Sequence, residues 1–301
     1  MINSLNPSIQ SFVNALNQIQ QNAMTAETEM NTGLRINQVS DAPDQIAPLL
    51  QTQAQIAQLN QINTNLGLVQ DDTNAAQTAL QSAVQVMDQV ETLATEGDSS
   101  TATADTRSNI ASQLQNALTN LVNLANTTSG GKYVFSGDSD QTQSYTVDFT
   151  QTNPVSAYQG SASTRKVQIP GGATISTSLT AQQIFDGSGT GDSVFSAVTS
   201  LITAMQNNDQ AGIDAAIPLV SSSAAYLNQQ LATYGTIQDQ VNDAVSNGQQ
   251  QSTQLTAQLS SIQDADMTQV IEQLNQANLQ EQAVLGAQAQ LPRTSLFSYL
   301  G

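Results

Sequence analysis

The hydrophobic residues at the start of the chain recur at alternating intervals of three and four, and nearly all the residues between them are polar. Residues spaced in this way lie on one face of an α-helix and form the heptad seam of a coiled coil. The seam positions are Ile2, Leu5, Ile9, Phe12, Leu16, Ile19, Ala23, Ala26 and Met30. The pattern predicts a first helix that begins at Asn6-Pro7 and runs to about Asn31, because asparagine caps helices well and proline is tolerated in the first turn.

The same periodicity returns along most of the chain and predicts further long helices. They span about 44–48 to 95, 103–128, 193–206, 213–262 and 267–291. Asp214 is a candidate cap for the fourth of these, with Pro218 in its first turn. The last helix and the chain end carry a second seam, made of Met267, Val270, Leu274, Val284, Leu291, Leu296 and Leu300.

Residues 129–192 have a different character. They contain six of the twelve aromatic residues, and glycine, serine and threonine separate short runs of alternating polarity such as KYVFSG and RKVQIPGG. This pattern is typical of short strands and turns. We therefore expect a small β-rich domain here.

The order of the elements predicts a mainly α fold with one insertion. A heptad seam has to bury its apolar positions against another helix, and the simplest partner for the N-terminal arm is the C-terminal arm. We expect a long antiparallel, coiled-coil-like helical rod formed by the two arms. The predicted division is 1–45 plus 263–301 for the terminal assembly helices, 46–128 plus 193–262 for the helical rod, and 129–192 for the outer β domain.

Composition excludes several classes of function. The 6 basic and 24 acidic residues give a net charge of −18, which disfavours binding to nucleic acid or to an anionic membrane surface. Cysteine and histidine are absent, so the chain can form neither disulfides nor thiolate zinc sites and has no histidine base. The chain shows no cleavable signal peptide and no apolar run of about 18 residues, so we expect no membrane insertion.

Four short motifs resemble the bacterial flagellin superfamily. TGLRIN at 32–37 with SDAPD at 40–44, and SSIQDADM at 260–267, resemble the breaks after the first and before the last flagellin helix. LANTTSGGKYVFSG at 124–137 and the terminal SLFSYLG are similar, within that superfamily, to the hook–filament junction proteins, also called hook-associated protein 3. The resemblance covers about four-fifths of the chain. It departs from the family at Asp41-Ala42-Pro43, where two adjacent acidic residues usually precede the proline.

The resemblance implies a structural protein of the bacterial flagellum, active in motility, with no enzymatic role and no cofactor. It implies type III export without a cleavable signal peptide, with the help of an export chaperone. It also implies an extracellular location. The subunits would self-associate in a ring that joins the first hook-associated protein to flagellin. Filament flagellin itself remains an alternative, as does a secreted surface adhesin or coiled-coil protein.

The break motifs supply the remaining candidate site residues, which are Gly33, Leu34, Arg35, Ile36, Asn37, Asp41, Asp264 and Asp266. For Arg35 we expect a contact with a carboxylate, on this chain or on a neighbouring subunit. For Asp264 and Asp266 helix capping is favoured over a catalytic pair. DGSGTGD at 186–192 lacks the spacing of a calcium loop, so no metal site is predicted.

Overall fold

The structure, a computed structural model, describes residues 7–187 and 193–290. Long helices dominate these residues. The helices are α1 (Pro7–Thr32), α2 (Ile46–Asp98), α3 (Ala104–Ala125), α4 (Ala181–Phe185), α5 (Val194–Gln206), α6 (Gln210–Gln263) and α7 (Met267–Gln290). The strands are β1 (Thr128–Ser129), β2 (Lys132–Tyr133), β3 (Lys166–Gln168) and β4 (Thr174–Ser176). The predicted mainly α fold is confirmed.

The predicted start of α6 is wrong. The helix begins at Gln210, so Pro218 lies inside it and Asp214 is not its cap. Asn208 adopts a positive φ of 50°, which lets the chain reverse within a few residues after α5. The amide of Ile213 then donates to the carbonyl of Asp209 at 3.0 Å, closing a helical turn earlier than the apolar pattern indicated.

Two compact units divide the chain. One contains residues 59–251, and the other contains the described residues of 1–58 and 252–301. This division differs from the predicted one, because the segment 129–192 belongs to the same unit as the helices on either side of it. The predicted three-part division stays a prediction.

The unit 59–251 has a large continuous core. Helix α3 packs against α5, and their buried leucines, isoleucines and valines join the apolar faces of α2 and α6. Phe135, Tyr145 and Phe185 from the insert lie in the same core and are 0–1% exposed. The insert shares this core with the helices because its two-stranded sheets are too small to bury such rings by themselves.

Aromatic contacts tie the insert to the helices. The rings of Phe185 and Phe195 stack with centroids 5.4 Å apart, and Phe135 meets Tyr234 of α6 edge-on at 6.0 Å. The hydroxyl of Tyr145 donates to Asp186 at 2.5 Å. Such pairs orient the rings as well as removing apolar surface from water.

The two sheets are antiparallel hairpins. In β3–β4, Val167 pairs with Ile175, and both side chains pack against α2 and α6 in a second, smaller cluster. The hairpin β1–β2 pairs Thr128 with Tyr133. The insert thus contains few strand residues, and most of it is held by turns and side-chain hydrogen bonds.

Candidate assembly surface

Helices α1 and α7 form an antiparallel pair through their predicted seams. Ile19 and Ala26 of α1 and Val270 and Ala277 of α7 are at most 9% exposed. The side-chain amide of Gln20 donates to the carboxylate of Glu281 at 3.2 Å across the pair. Alanine at two of these buried positions lets the two helices approach closely.

The structure brings together most of the predicted seam residues that it describes. Phe12, Leu16, Leu274 and Val284 are half-buried between the helices, whereas Met30 and Met267, at the ends of the pair, are 39% and 40% exposed. The side chain of Ile9 and the residues Ile2, Leu5, Leu291, Leu296 and Leu300 lie outside the described part of the chain. The seam side of each helix is therefore largely buried within a single copy. The predicted role of the seams in packing between subunits stays a prediction.

The two break motifs lie side by side at one end of this pair. Leu34 forms an isolated antiparallel bridge with Asp264. The amide of Arg35 donates to the carbonyl of Gln263 at 2.7 Å, and the amide of Ala265 donates to that of Gly33 at 3.0 Å. Gly33 has a φ of 72°, a conformation that glycine adopts without strain, so the motif can end α1 and turn the chain at once.

Arg35 binds neutral oxygens of its own chain. Its Nη2 atom donates to the carbonyl of Ile262 at 2.6 Å and to the side-chain oxygen of Gln45 at 3.2 Å. Within residues 7–187 and 193–290 no carboxylate lies within ion-pair distance of its guanidinium. Arg35 therefore fastens the two breaks to each other, and its predicted contact with a carboxylate of another subunit stays a prediction.

The acidic residues of the breaks stabilise turns. The Asp41 carboxylate accepts the backbone amides of Asn37 and Gln38 at 2.9 and 2.7 Å. The Asp266 carboxylate accepts the amides of Thr268 and Gln269, so its predicted capping role at the start of α7 is confirmed.

The other break residues also serve the local structure. Asp264 accepts the hydroxyl of Ser260, and the side chain of Asn37 donates to the carbonyl of Leu34 at 2.7 Å. Ile36 is 3% exposed and packs with Ala42 and Leu49 in a small separate cluster.

Electrostatics in this unit are mild. Partial burial, and to a lesser degree the nearby negative charge of Asp41, raise the pKa of the Glu29 carboxyl, while Arg35 opposes the shift.

Among the described residues no cluster of three or more carboxylates could hold a metal ion. No described helix is long and apolar enough to cross a membrane.

Apolar side chains remain on the surface of the pair, and the heptad analysis missed them. Val13, Ile271 and Leu285 are 45–50% exposed, and Leu279 is 67% exposed. The sequence contains a signal for these exposed residues. Val13, Ile271 and Leu285 each directly follow a seam residue, so they make the apolar stripe wider than a two-helix seam requires. A stripe wider than one partner can cover is typical of a helix that packs against more than one neighbour.

The signature at 124–137 serves the core of the larger unit. The Asn126 side chain accepts the amides of Ser144 and Tyr145 and donates to the Tyr145 carbonyl. The Ser136 hydroxyl donates to the carbonyl of Thr142 at 2.7 Å. Gly137 has a φ of 60°, and a Cβ atom there would lie 2.3 Å from the carbonyl oxygen of Ser161. These residues anchor the insert rather than forming a binding site.

Comparison with protein families identifies both ends of the chain. The bacterial flagellin N-terminal helical region matches residues 2–140, and the bacterial flagellin C-terminal helical region matches residues 217–300. No curated protein sequence matches the chain. The two matched regions together span most of the sequence and include both break motifs.

Several solved structures with a similar fold are flagellar proteins. A putative flagellar hook-associated protein from Vibrio parahaemolyticus is 19% identical with a TM-score of 0.65, over 74% of this chain and 100% of that one. FlgL from Bacillus cereus is 16% identical with a TM-score of 0.58, over 69% and 98%. The flagellar junction protein FlgL from Legionella pneumophila is 13% identical with a TM-score of 0.54, over 64% and 98%. At these identities the likeness establishes the fold.

Proposed function

Because this chain belongs to the bacterial flagellin family, we propose that it is the structural protein that joins hook and filament in a bacterial flagellum. It acts as an adaptor between two protein lattices and catalyses no reaction. One side of its ring binds the first hook-associated protein, and the other side binds flagellin. The protein leaves the cell through the flagellar type III channel without a cleavable signal peptide, with the help of an export chaperone.

The observation that carries this proposal is the extent of the structural likeness. The three flagellar proteins named above are covered over 98–100% of their lengths. A filament flagellin would share the two helical regions, but the matched structures from Vibrio parahaemolyticus and Legionella pneumophila, which share this fold over 98–100% of their length, are a putative hook-associated protein and a junction protein.

The exposed apolar residues of the α1–α7 pair support a role in assembly. Folding of one copy buries one face of each helix and leaves Val13, Ile271 and Leu285 half in water. Fully burying an exposed side chain of this size is worth about 1.5–3 kcal/mol, so covering the exposed half of each would contribute about half of that amount. A ring of subunits supplies such partners at the same place in every copy.

Filament flagellin is the second candidate, and the family match favours it, since both matched regions bear that description. The adhesin alternative finds less support, because the insert shares its core with the helices and is not built as a separate binding module.

Immunogold electron microscopy of isolated flagella separates these functions. The antibody is raised against residues 129–192, a segment outside the C-terminal flagellin match that contains most of the insert. We expect one labelled band between hook and filament. We also expect that a strain lacking this protein makes hooks without filaments. Labelling along the whole filament would instead assign the protein as flagellin, and an unlabelled flagellum would reject both roles.

A further inference from the structure

A cavity of about 510 Å³ lies between the insert and the first two turns of α5. This volume is within the range of about 300–1,000 Å³ that is typical of sites for small molecules. Of the eleven described residues that line the cavity, seven carry a hydroxyl, amide or carboxylate group. Most ligand sites have a mainly apolar lining. This cavity instead suits a ligand that forms many hydrogen bonds.

The carboxylate of Asp186 lines the cavity. Its Oδ2 atom accepts the hydroxyl of Tyr145 at 2.5 Å, and its Oδ1 atom accepts the hydroxyl of Ser193 at 3.3 Å. An ionised carboxylate has about four acceptor positions, so this one can accept further hydrogen bonds from a ligand. The two hydrogen bonds within the protein fix the orientation of the carboxylate before any ligand binds.

Helix α5 contributes free hydroxyl groups to the cavity. Ser193 caps the helix and accepts the backbone amide of Ser196 at 3.3 Å, which places Ser196 in the first turn. Thr199 and Ser200 follow at spacings of three and four residues, so they lie on the same side of the helix. Within residues 7–187 and 193–290, the hydroxyls of Ser196, Thr199 and Ser200 form no hydrogen bond with the protein. These three hydroxyls are available to a ligand.

Another wall of the cavity is a loop of the insert. Val155 forms an isolated antiparallel bridge with Val147, and the amide of Ser156 donates to the carbonyl of Thr146 at 3.0 Å. These backbone contacts hold the wall in place. Asn153 lines the same wall and adds a carboxamide, which can both donate and accept hydrogen bonds.

Charge and lining exclude several classes of ligand. No basic residue is among the described lining residues, and the chain has a net charge of −18, so phosphates and other anions are repelled. Asp186 is the only carboxylate among those residues, whereas calcium and magnesium ions need several oxygen ligands held in a defined geometry. A neutral saccharide has hydroxyl groups that both donate and accept, and these match a lining of one carboxylate, one carboxamide and several hydroxyls.

We propose that the cavity between the insert and α5 binds a neutral saccharide. Asp186 accepts hydrogen bonds from the hydroxyl groups of the sugar, while Asn153 and the free hydroxyls of α5 bind its other oxygens. The site is formed jointly by the insert and a helix of the central unit, so it requires no separate binding module. It goes beyond the proposed function and does not depend on it.

Saturation-transfer NMR on the full-length protein tests this proposal. The probes are the methyl glycosides of glucose, galactose, mannose and N-acetylglucosamine, neutral tetrasaccharides of the same sugars, and a sialylated trisaccharide. We expect saturable binding of at least one neutral probe and no binding of the sialylated one. Binding of a methyl glycoside would identify a single sugar as sufficient, and binding of tetrasaccharides alone would indicate a polymeric glycan. A failure of every neutral probe, or equally tight binding of the sialylated probe, would overturn the proposal.

Variants of the lining locate the binding. Ser200→Leu replaces a free hydroxyl at the cavity with an apolar side chain, and we expect the dissociation constant of the bound probe to rise at least about tenfold. Ser221→Leu makes the same change at an exposed position of α6 outside the cavity, and we expect no change. Equal effects of the two leucine variants would contradict the proposal.

The charge of the site is tested by Asp186→Asn, which keeps an acceptor for the hydroxyl of Tyr145 but removes the negative charge. We expect binding about tenfold weaker than in the natural chain, because hydrogen bonds to a charged acceptor are stronger than those to a neutral one. Circular dichroism verifies that each variant is folded. Unchanged binding by Asp186→Asn would remove the carboxylate from the site and contradict the proposal. The immunogold result stands apart from these outcomes, since it reports where the protein lies and not what it binds.

Discussion

The central unit and the terminal helix pair use apolar residues in opposite ways. In residues 59–251, large rings such as Phe135, Phe185 and Tyr234 are fully buried. In the α1–α7 pair the buried positions include two alanines, and larger side chains such as Leu279 and Leu285 remain exposed. The central unit completes its core within one chain, whereas the pair leaves apolar side chains exposed. Under the proposed function, the central unit supplies stability and the terminal pair supplies the surface for assembly.

The variant with the largest expected effect on this contrast removes an aromatic ring from the core. Phe185→Ala deletes a fully buried side chain that stacks on Phe195, and we expect a loss of about 3–5 kcal/mol in the free energy of unfolding. Urea titration followed by circular dichroism measures it. Leu279→Ala is the matched control, and because Leu279 is 67% exposed we expect a change within about 0.5 kcal/mol. Similar losses for both variants would remove the distinction between the two regions.

A second test concerns the backbone of the signature. Gly137→Ala forces a Cβ atom against the Ser161 carbonyl at a positive φ, and we expect a loss of about 2–4 kcal/mol, measured by the same titration. Gly130 also has a positive φ, but a Cβ atom there meets nothing within 4 Å. Gly130→Ala therefore isolates the cost of the backbone conformation, and we expect about 1 kcal/mol. If the two variants lose equal stability, the close approach of residue 161 is not what requires glycine at 137.

Alkaline pH provides a smaller and more selective test. Burial, aided by the hydrogen bond to Asp186, raises the pKa of the Tyr145 hydroxyl far above its ordinary value, and burial raises the pKa of Tyr234 in the same direction. In the unfolded chain both tyrosines titrate near pH 10, so above that pH the folded state holds more protons. The stabilising contribution is complete below pH 10 and is lost as pH rises toward the folded pKa.

Each such tyrosine lowers the free energy of unfolding by about 1.4 kcal/mol per pH unit above pH 10. Tyr145→Phe removes one titrating group, so we expect its stability to fall less steeply between pH 10 and 11.5 than that of the natural chain, as measured by urea titration at each pH. The slope, rather than the stability at neutral pH, is the readout, because the variant also loses the hydrogen bond to Asp186. An unchanged slope would contradict the assignment of Tyr145 to the closed core.

Much of the fold could be predicted from local patterns. The heptad spacing of Phe12, Leu16 and Ile19 predicted α1 within a residue of its observed bounds, and the motifs at 32–44 and 260–267 predicted the two breaks. These features depend on residues a few positions apart, so the sequence alone contains the information. The family resemblance added the function, which no spacing of seam residues indicates.

The tertiary structure decided which residues share an environment across long separations. Only the folded chain shows that Phe135 lies against Tyr234, that Arg35 binds the carbonyl of Ile262, and that the insert has no core of its own. The sequence pattern placed the apolar side chains on one face of α1 and of α7. It did not show which of these side chains are buried within a single copy. That distinction arises because burial depends on how many helices surround each face, and in one copy α1 and α7 have mainly each other.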